Sequence, residues 1–269
     1  MTDGTAPFLS LRNKNAATTQ RAFEKLSSGR RINSAADDPA GLAIVSKLQF
    51  SIDTLGQVSR NINDATSRIQ LTDGVLEQVG QISNRLSELA AQAANGTVSD
   101  AQRAATQEEF SQLTQEISRI AESTEFNGVK LFNGSAITTQ VGTDASPDSQ
   151  ITTPGIDLKA LVGSLSSQSI ASQSGAQTAL EQVTAFADQV GANRGTLGAV
   201  ANRLGAARNV AEVKRENSIA AQARIQDVDL AEETARLVSG QIRQRSEVAL
   251  QAIGNIDRGK VFSLLGGRR

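Results

Sequence analysis

The side chains best suited to acid–base catalysis in this chain are pairs of adjacent carboxylates, because the sequence contains no histidine and no cysteine. Their absence excludes imidazole chemistry, thiol nucleophiles, disulfides and the usual zinc ligands. The carboxylate pairs are Asp37-Asp38, Glu108-Glu109 and Glu232-Glu233. Neighbouring helical residues point about 100° apart, so no pair converges on one substrate as the two acids of a glycosidase do. The sequence therefore predicts a non-enzyme that uses no cofactor and no metal.

Composition narrows the fold and the partners. The 269 residues carry a net charge of -1 and include eight Phe but no Trp or Tyr, so the core must consist of aliphatic side chains and Ala. A nearly neutral chain without aromatic residues among its basic ones is not expected to bind nucleic acid. The sequence contains no run of eighteen apolar residues, so no membrane-spanning helix is expected. The first twenty residues lack a basic and then apolar leader, so we expect no cleavable signal peptide.

Apolar residues recur at intervals of seven over most of the chain, which predicts long helices that pack along narrow seams against the far terminus or another subunit. The closing segment adds two leucines to this pattern. The candidate self-assembly seam therefore comprises Leu9, Phe23, Leu48, Leu55, Ile62, Ile69, Leu76, Val183, Val190, Leu197, Leu204, Ile242, Ile256, Leu264 and Leu265.

Helix boundaries follow from local signals. The first helix is predicted from Phe8 to Ser28 and is followed by a non-helical connector over 30–38. Asp38 can cap a second helix that starts at Pro39 and continues for some fifty residues to Asn95-Gly96. Within it, the apolar phase is predicted to slip by one residue at Val75. A third helix over 101–124 should fold back as a hairpin.

The middle of the chain changes character. The segment EFNGVKLFNG at 125–134 contains two Asn-Gly pairs, which predict two tight turns. Residues 135–175 are rich in Ser and Thr, and alternation at 136–141 and 150–156 predicts a small hairpin, with one helical turn near 158–162.

The heptads then return in a stretch that contains four glycines, which predict close approach of a neighbouring backbone. They continue into a final helix. The fold class is thus mainly α, a long antiparallel coiled-coil or helical bundle built from both chain ends, with a small β-hairpin region.

Four segments carry a resemblance to a known family. Residues 26–44, LSSGRRINSAADDPAGLAI, resemble the N-terminal signature of bacterial flagellins. The segments ELAAQAANGT at 88–97, EFNGVKLFNG and RIQDVDLAEE at 224–233 are also similar to that family. The resemblance covers nearly the whole chain outside 135–175.

The resemblance implies a short flagellin without outer domains, a subunit that self-assembles into the filament used for swimming. Residues 1–39 plus 215–269 would form the inner terminal coiled coil, residues 40–134 plus 173–214 a rod-like bundle, and residues 135–172 a short hairpin or loop. The terminal helices would be disordered in the monomer and fold on assembly. The implied partners are other copies of the chain, the flagellar export apparatus with its chaperone, and hook-associated and cap proteins. The implied location is the extracellular filament.

Host receptors for flagellin are further partners that the resemblance implies. Asp37, Asp38 and Gly41 match the peptide sensed by plant receptors. Arg85, Leu89 and Glu109 match positions contacted by the Toll-like receptor of animals. A plain structural interpretation is that Leu89 belongs to a seam and that Arg85 pairs with Glu109 across antiparallel helices.

Other interpretations remain open at this stage. A hook-filament junction protein shares terminal helices of this kind, and an adhesin or sheath protein could be built on a flagellin. The basic residues of 241–269 suggest either a solvated helix face or a specialised minor flagellin with an altered filament lumen. A flagellin-embedded zinc peptidase is excluded, because its His-Glu-x-x-His motif needs histidine.

Overall fold

The computed structural model describes the backbone of residues 5–266 and the side chains of residues 9–253 and 256. Its described part contains six α-helices: α1 (Thr5–Ser28), α2 (Pro39–Ala94), α3 (Asp100–Ser123), α4 (Leu158–Ser166), α5 (Gln173–Gln226) and α6 (Leu230–Gly266). Four short strands are β1 (Glu125–Phe126), β2 (Val129–Lys130), β3 (Ile137–Gln140) and β4 (Gln150–Thr153). The strands form two antiparallel pairs, β1 with β2 and β3 with β4. The predicted mainly α fold with small hairpins is confirmed.

The chain divides into two compact units. The terminal unit combines Met1–Ile52 with Asn217–Arg269, and the central unit comprises Asp53–Glu216. Helices α2 and α5 each contribute residues to both.

In the central unit, α2 presents an unbroken heptad seam to the core. Buried residues alternate at spacings of three and four along its length, namely Leu55, Val58, Ile62, Ala65, Ile69, Thr72, Leu76, Val79, Ser83, Leu86, Ala90 and Ala93. The predicted slip of phase at Val75 is wrong, because Val75 and Ile82 are only half-buried. A continuous seam of this period is the pattern expected of a helix that packs along a partner helix.

Two hydroxyl residues explain why the sequence pattern was misread. Thr72 and Ser83 occupy seam positions that an apolar pattern leaves blank. The Thr72 hydroxyl donates to the Arg68 carbonyl at 2.8 Å, and the Ser83 hydroxyl donates to the Val79 carbonyl at 2.9 Å. Because their polar atoms are satisfied within the helix, both can be buried without an unpaired hydrogen-bonding group.

The partners of α2 in this unit run antiparallel to it. Arg194 of α5 donates to Asp73 of α2 at 2.7 Å. Arg103 near the start of α3 donates to the carbonyls of Ala93 and Asn95 at the end of α2, which fixes the α2–α3 hairpin. Ser99 begins α3 with a capping box that involves Gln102. The core is continuous from α2 through α3 and α4 to α5.

The glycines of α5 do not mark a backbone contact inside the chain. A Cβ atom added at Gly191, Gly195, Gly198 or Gly205 would meet no atom within 4 Å. Within the chain, no neighbouring backbone approaches these positions, where the helix surface is open.

The predicted turns and hairpins of the central unit are present. Asn127 and Gly128 have φ values of 51° and 76°, the two positive angles of a type I′ turn between β1 and β2. Gly134 also has a positive φ of 75°. The predicted hairpin over 136–156 forms as β3 and β4, with Ile137 opposite Thr153. The helical turn predicted near 158–162 extends to the nine-residue α4.

We predict that Leu86→Ala lowers the free energy of unfolding by about 2–5 kcal/mol, because Leu86 is fully buried in the seam. Leu71→Ala on the same helix is the matched control, since Leu71 is 41% exposed and should cost under about 1 kcal/mol. Urea unfolding of the monomer, followed by circular dichroism, measures both. Equal losses would contradict the assigned seam.

Candidate assembly interface

In the terminal unit, α1 and α6 pack against each other through side chains that are mostly polar or small. On α6 the covered residues are spaced by three and four along one face: Glu233, Leu237, Gly240, Gln244 and Glu247. On α1 they are Asn15, Thr19, Ala22 and Leu26. This face carries little apolar area, so its burial contributes little of the free energy that such long helices need.

Two contacts fix the register of this antiparallel pair. The Asn15 amide donates to the Glu247 carboxylate. A Cβ atom added at Gly240 would lie 2.6 Å from the Thr19 hydroxyl, so the absence of a side chain there lets the two helices approach closely. The second carboxylate oxygen of Glu247 is buried and lacks a hydrogen-bond partner among the described residues. Such contacts specify alignment more than they add stability.

The large apolar side chains of both terminal helices lie outside this contact and face solvent. We call them the apolar face: Leu9, Leu11 and Phe23 of α1 with Leu230, Val238, Ile242, Val248, Leu250, Ile253 and Ile256 of α6. Phe23 is 63% exposed and Ile242 is 59% exposed. Exposed apolar area on this scale marks an interaction surface in a soluble protein.

The residues of the predicted seam therefore differ in burial. Those in the central unit are buried in the chain's own core, namely Leu55, Ile62, Ile69, Leu76, Val183, Val190, Leu197 and Leu204. Leu48 is half-buried in the terminal unit. Leu9, Phe23, Ile242 and Ile256 are exposed members of the apolar face. Leu264 and Leu265 lie in α6 but outside the residues whose side chains the structure describes.

Sequence reasoning missed several members of the apolar face, because it selected residues at a strict interval of seven. Leu11, Val238, Val248, Leu250 and Ile253 fall between those positions. A count of large apolar residues around the whole helix would have found them. It would also have revealed that α6 carries more than one apolar stripe.

The connector 29–38 pairs with the break between α5 and α6. The Arg31 backbone N–H donates to the Gln226 carbonyl at 2.5 Å, and the Val228 N–H donates to the Gly29 carbonyl at 3.2 Å. Asp229 then caps α6 by accepting from the backbone N–H of Ala231 at 2.9 Å. The two chain ends are thus joined by backbone hydrogen bonds, a long-range pairing that local signals do not reveal.

Within the connector, two neighbouring carboxylates have local structural roles. Asp37 accepts from the backbone N–H groups of Ser34 at 2.9 Å and Asn33 at 3.1 Å. Asp38 accepts from the backbone N–H of Gly41 at 2.8 Å and so caps α2, as predicted. A Cβ atom at Gly41 would lie 2.4 Å from the Asp38 carboxylate and 2.7 Å from Ile32. The signature spacing of Asp38 and Gly41 is therefore a packing requirement.

The three residues that match animal-receptor positions lie in the α2–α3 hairpin. Arg85 donates to Glu109 across the two antiparallel helices at 2.8 Å and to Glu88 at 3.0 Å. Arg85 is exposed and Glu109 is half-buried, and the pairing raises the pKa of Arg85 through its hydrogen bond to Glu109. Leu89 is only 1% exposed and belongs to the core. The pairing of Arg85 with Glu109 is confirmed, whereas Leu89 is buried in the core beside the seam and not on it.

Acidic side chains do not assemble into a metal site in the part of the chain that the structure describes. A search of the same residues finds no helix both long enough and apolar enough to cross a bilayer. Of the paired carboxylates, Glu109 bonds to Arg85, whereas Glu232 and Glu233 both contact Arg236. Asp37 and Asp38 are occupied by backbone N–H groups, so these carboxylates have structural partners.

We predict that Gly41→Ala destabilises the chain by about 1–3 kcal/mol, because the new methyl group overlaps Asp38 and Ile32. Gly74→Ala, in the same helix with open space around it, should stabilise by up to about 1 kcal/mol. Denaturant unfolding of the two purified variants provides the comparison. A neutral or stabilising Gly41→Ala would refute the close contact.

We also predict an acid-sensitive connector. The hydrogen bonds that Asp37 accepts from the Ser34 and Asn33 N–H groups lower its pKa below the ordinary value. Because the pKa is lower when the connector is folded, the stabilisation is present above the unfolded pKa and is lost as the pH falls through the folded pKa.

Hydrogen exchange at the Ser34 amide, corrected for intrinsic rates, should show less protection on going from about pH 5 to about pH 2. Asp37→Asn should abolish that dependence, whereas Asp188→Asn should preserve it. Unchanged pH dependence in Asp37→Asn would assign the effect to another group.

Comparison with known proteins agrees with the four signature segments. The family model for the bacterial flagellin N-terminal helical region matches residues 7–137, and that for the C-terminal helical region matches residues 180–265. A flagellin from Halalkalibacterium halodurans is 38% identical over 91% of this chain and 91% of its own length. A flagellar filament 30.7 kDa core protein from Treponema maltophilum is 35% identical over 93% of each chain.

Two solved structures resemble the fold. The crystal structure of Bacillus cereus flagellin has a TM-score of 0.51 and 29% identity, covering 56% of this chain and 88% of that one. A putative flagellar hook-associated protein from Vibrio parahaemolyticus has a TM-score of 0.59 at 14% identity, covering 71% of this chain and 100% of that one. The latter likeness concerns the fold alone. From the two family matches and the relatives that align over nearly its whole length, the chain belongs to the bacterial flagellin family.

Proposed function

We propose that this chain is the structural subunit of a bacterial flagellar filament and that it polymerises by burying its apolar face against other copies. The observation that carries the proposal is that α1 and α6 cover polar and small residues in their mutual contact and leave their large apolar residues exposed. The names of two relatives, a flagellin and a flagellar filament 30.7 kDa core protein, support this proposal. Rotation of such a filament drives swimming.

Burial of the apolar face against neighbours is the energetic basis of the proposal. Each large aliphatic side chain that leaves water contributes about 1.5–3 kcal/mol. The two terminal helices have few such contacts within the chain, so neighbours supply the apolar partners that they lack. Because one surface meets a different surface on the next copy, the contact repeats without closing and produces a helical polymer.

The layers of the filament follow from this arrangement. Residues 1–39 plus 215–269 form the inner coiled-coil layer, and residues 40–134 plus 173–214 form a rod-like bundle. Residues 135–172 contribute β3, β4 and α4 in place of larger outer domains. The short β3–β4 connection supports this assignment, since it contains only a turn of 3₁₀ helix at Pro147–Ser149 between the strands.

Assembly outside the cell requires export. The chain passes in an unfolded state through the flagellar export apparatus, escorted by a chaperone. It then meets hook-associated and cap proteins at the growing end. Thin terminal helices without disulfides support such passage, because they refold without redox chemistry.

Host receptors constitute a second class of partner for the monomer. The exposed Arg85–Glu109 pair offers such a receptor charged groups, whereas Leu89 contacts it only after local opening of the core. Asp37, Asp38 and Gly41 lie in one short segment that a peptide receptor can bind in extended form. In the filament these residues retain their structural roles.

Catalysis, nucleic-acid binding and membrane insertion are not part of this function. The engaged carboxylates and the near-neutral charge support that view. A hook-filament junction role has only the fold-level likeness in its favour. The exposed Arg243 and Arg245 of α6 fit a solvated helix face.

We predict that Ile242→Ser raises the critical concentration for seeded polymerisation at least about tenfold, because one large apolar contact is lost per subunit. The control is Gln241→Ser, also exposed on α6, which should polymerise like the parent. Both are salted out with short filament seeds and viewed by negative-stain microscopy. Failure of the unmodified chain to elongate seeds would contradict filament function, and normal growth of Ile242→Ser would contradict the assigned face.

A further inference from the structure

The central unit contains an open cavity of about 820 Å³ beside the two hairpins. Its floor is formed by one face of α2 that includes Asp64, Ala65 and Arg68, and its walls come from the β1–β2 turn and strand β3. Val129 on one wall is 49% exposed. The cavity thus combines a floor that carries one carboxylate and one guanidinium with walls that are partly apolar.

Arg68 is the unusual residue of this cavity. It is only 9% exposed, yet its one hydrogen bond is from Nη2 to the Thr153 hydroxyl at 3.1 Å. Among the described residues, no carboxylate oxygen lies within 4 Å of its guanidinium, and Asp64, one turn earlier on α2, is no exception. Burial alone lowers the pKa of Arg68 from its ordinary value. A guanidinium has five N–H donors, and those of Arg68 that do not reach Thr153 are open to the cavity.

A second buried arginine in the described part of the chain, Arg103, has several partners within the chain. Arg103 has the same 9% exposure, but it donates to the carbonyls of Ala93 and Asn95 and forms an ion pair with Asp100 at 3.2 Å. The chain therefore satisfies a buried guanidinium where it is part of the internal fold. Arg68 has no carbonyl or carboxylate partner of this kind and lines an open cavity. An anion that enters the cavity can therefore pair with its guanidinium.

We propose that this cavity receives a carboxylate side chain from a second copy of this chain, which pairs with Arg68 when copies associate. The inference rests on the proposed filament function. A protein segment fits the site better than a small free anion, because an ion on Arg68 would leave the apolar walls at Phe126, Val129 and Ile137 in water.

The chain supplies suitable carboxylates. Glu181 and Asp188 lie seven residues apart on the exposed side of α5. Their spacing of two helical turns presents both on the same side of the helix. An ion pair closed off from water by the surrounding contacts would be screened little by salt and would also fix the alignment of neighbours.

The direct test compares Arg68→Met with Arg194→Met, which removes an arginine already paired within the chain. Arg68→Met should leave the melting temperature of the monomer unchanged or raised, because an incompletely paired buried cation is replaced by an apolar side chain. It should raise the critical concentration for seeded polymerisation at least about tenfold. Arg194→Met should polymerise within a few-fold of the unmodified chain.

The outcomes separate this inference from the filament proposal. If the unmodified chain does not elongate seeds, the filament function itself fails. If it does, and folded Arg68→Met elongates them equally well, the carboxylate contact is wrong while the filament function stands.

A structural reconstruction of the unmodified filament tests the same carboxylate contact even if Arg68→Met does not fold. We expect a carboxylate of a neighbouring copy within hydrogen-bonding distance of the Arg68 guanidinium, with Glu181 or Asp188 as its source. An empty cavity, a neighbour without a carboxylate there, or a solvent anion on Arg68 would overturn the inference.

Discussion

The rest of the structure depends on the contact between α1 and α6. This contact covers polar and small side chains and leaves the large apolar side chains of both helices exposed. Asn15 and Glu247 bond across it, and Gly240 lets Thr19 approach closely. Such a contact aligns two helices without burying much apolar area, so it provides register more than stability. The large apolar side chains are left outside it, where only further protein can cover them. In the proposed filament, neighbouring subunits would supply that cover.

In the central unit, by contrast, the large apolar side chains of the seam are buried within the chain. Its helices bury a continuous seam from Leu55 to Ala93, with Thr72 and Ser83 accommodated by hydrogen bonds to their own helix. This unit can therefore hold its shape without neighbours. The division between a self-contained unit and a dependent one matches the needs of a subunit that must remain soluble before it polymerises. Arg68 is the exception within the stable unit, a buried cation on the wall of an open cavity.

The sequence was sufficient for the helices, the tight turns and the β3–β4 hairpin, because capping residues, Asn-Gly pairs and alternation are local signals. It also identified the Asp38 cap and the Arg85–Glu109 pair. It failed where side-chain size and hydrogen bonding mattered more than polarity. Ser83 is buried in the seam although its side chain gives no apolar signal. The α5 glycines face open space within the chain, although their low helix propensity predicts a close contact.

The remaining gaps concern contacts between distant segments. The pairing of Arg31 with Gln226 and the isolation of Arg68 depend on which parts of the chain meet, and no local pattern encodes that. Heptad spacing located the terminal helices but could not tell which of their faces meet inside the chain. That choice is set by Gly240 and by the Asn15–Glu247 bond, whose residues are weak signals in sequence.

The most direct test of this account uses the absence of cysteine from the sequence, which allows single thiols to report exposure. Val248→Cys places a thiol on the apolar face, and Ala145→Cys places one on the β3–β4 connection, where the chain is also exposed. The rate of maleimide labelling is measured in monomer and in filament. We expect rapid labelling of both in the monomer and strong protection of Val248→Cys alone in the filament. Equal labelling of Val248→Cys in the two states would contradict burial of the apolar face on assembly.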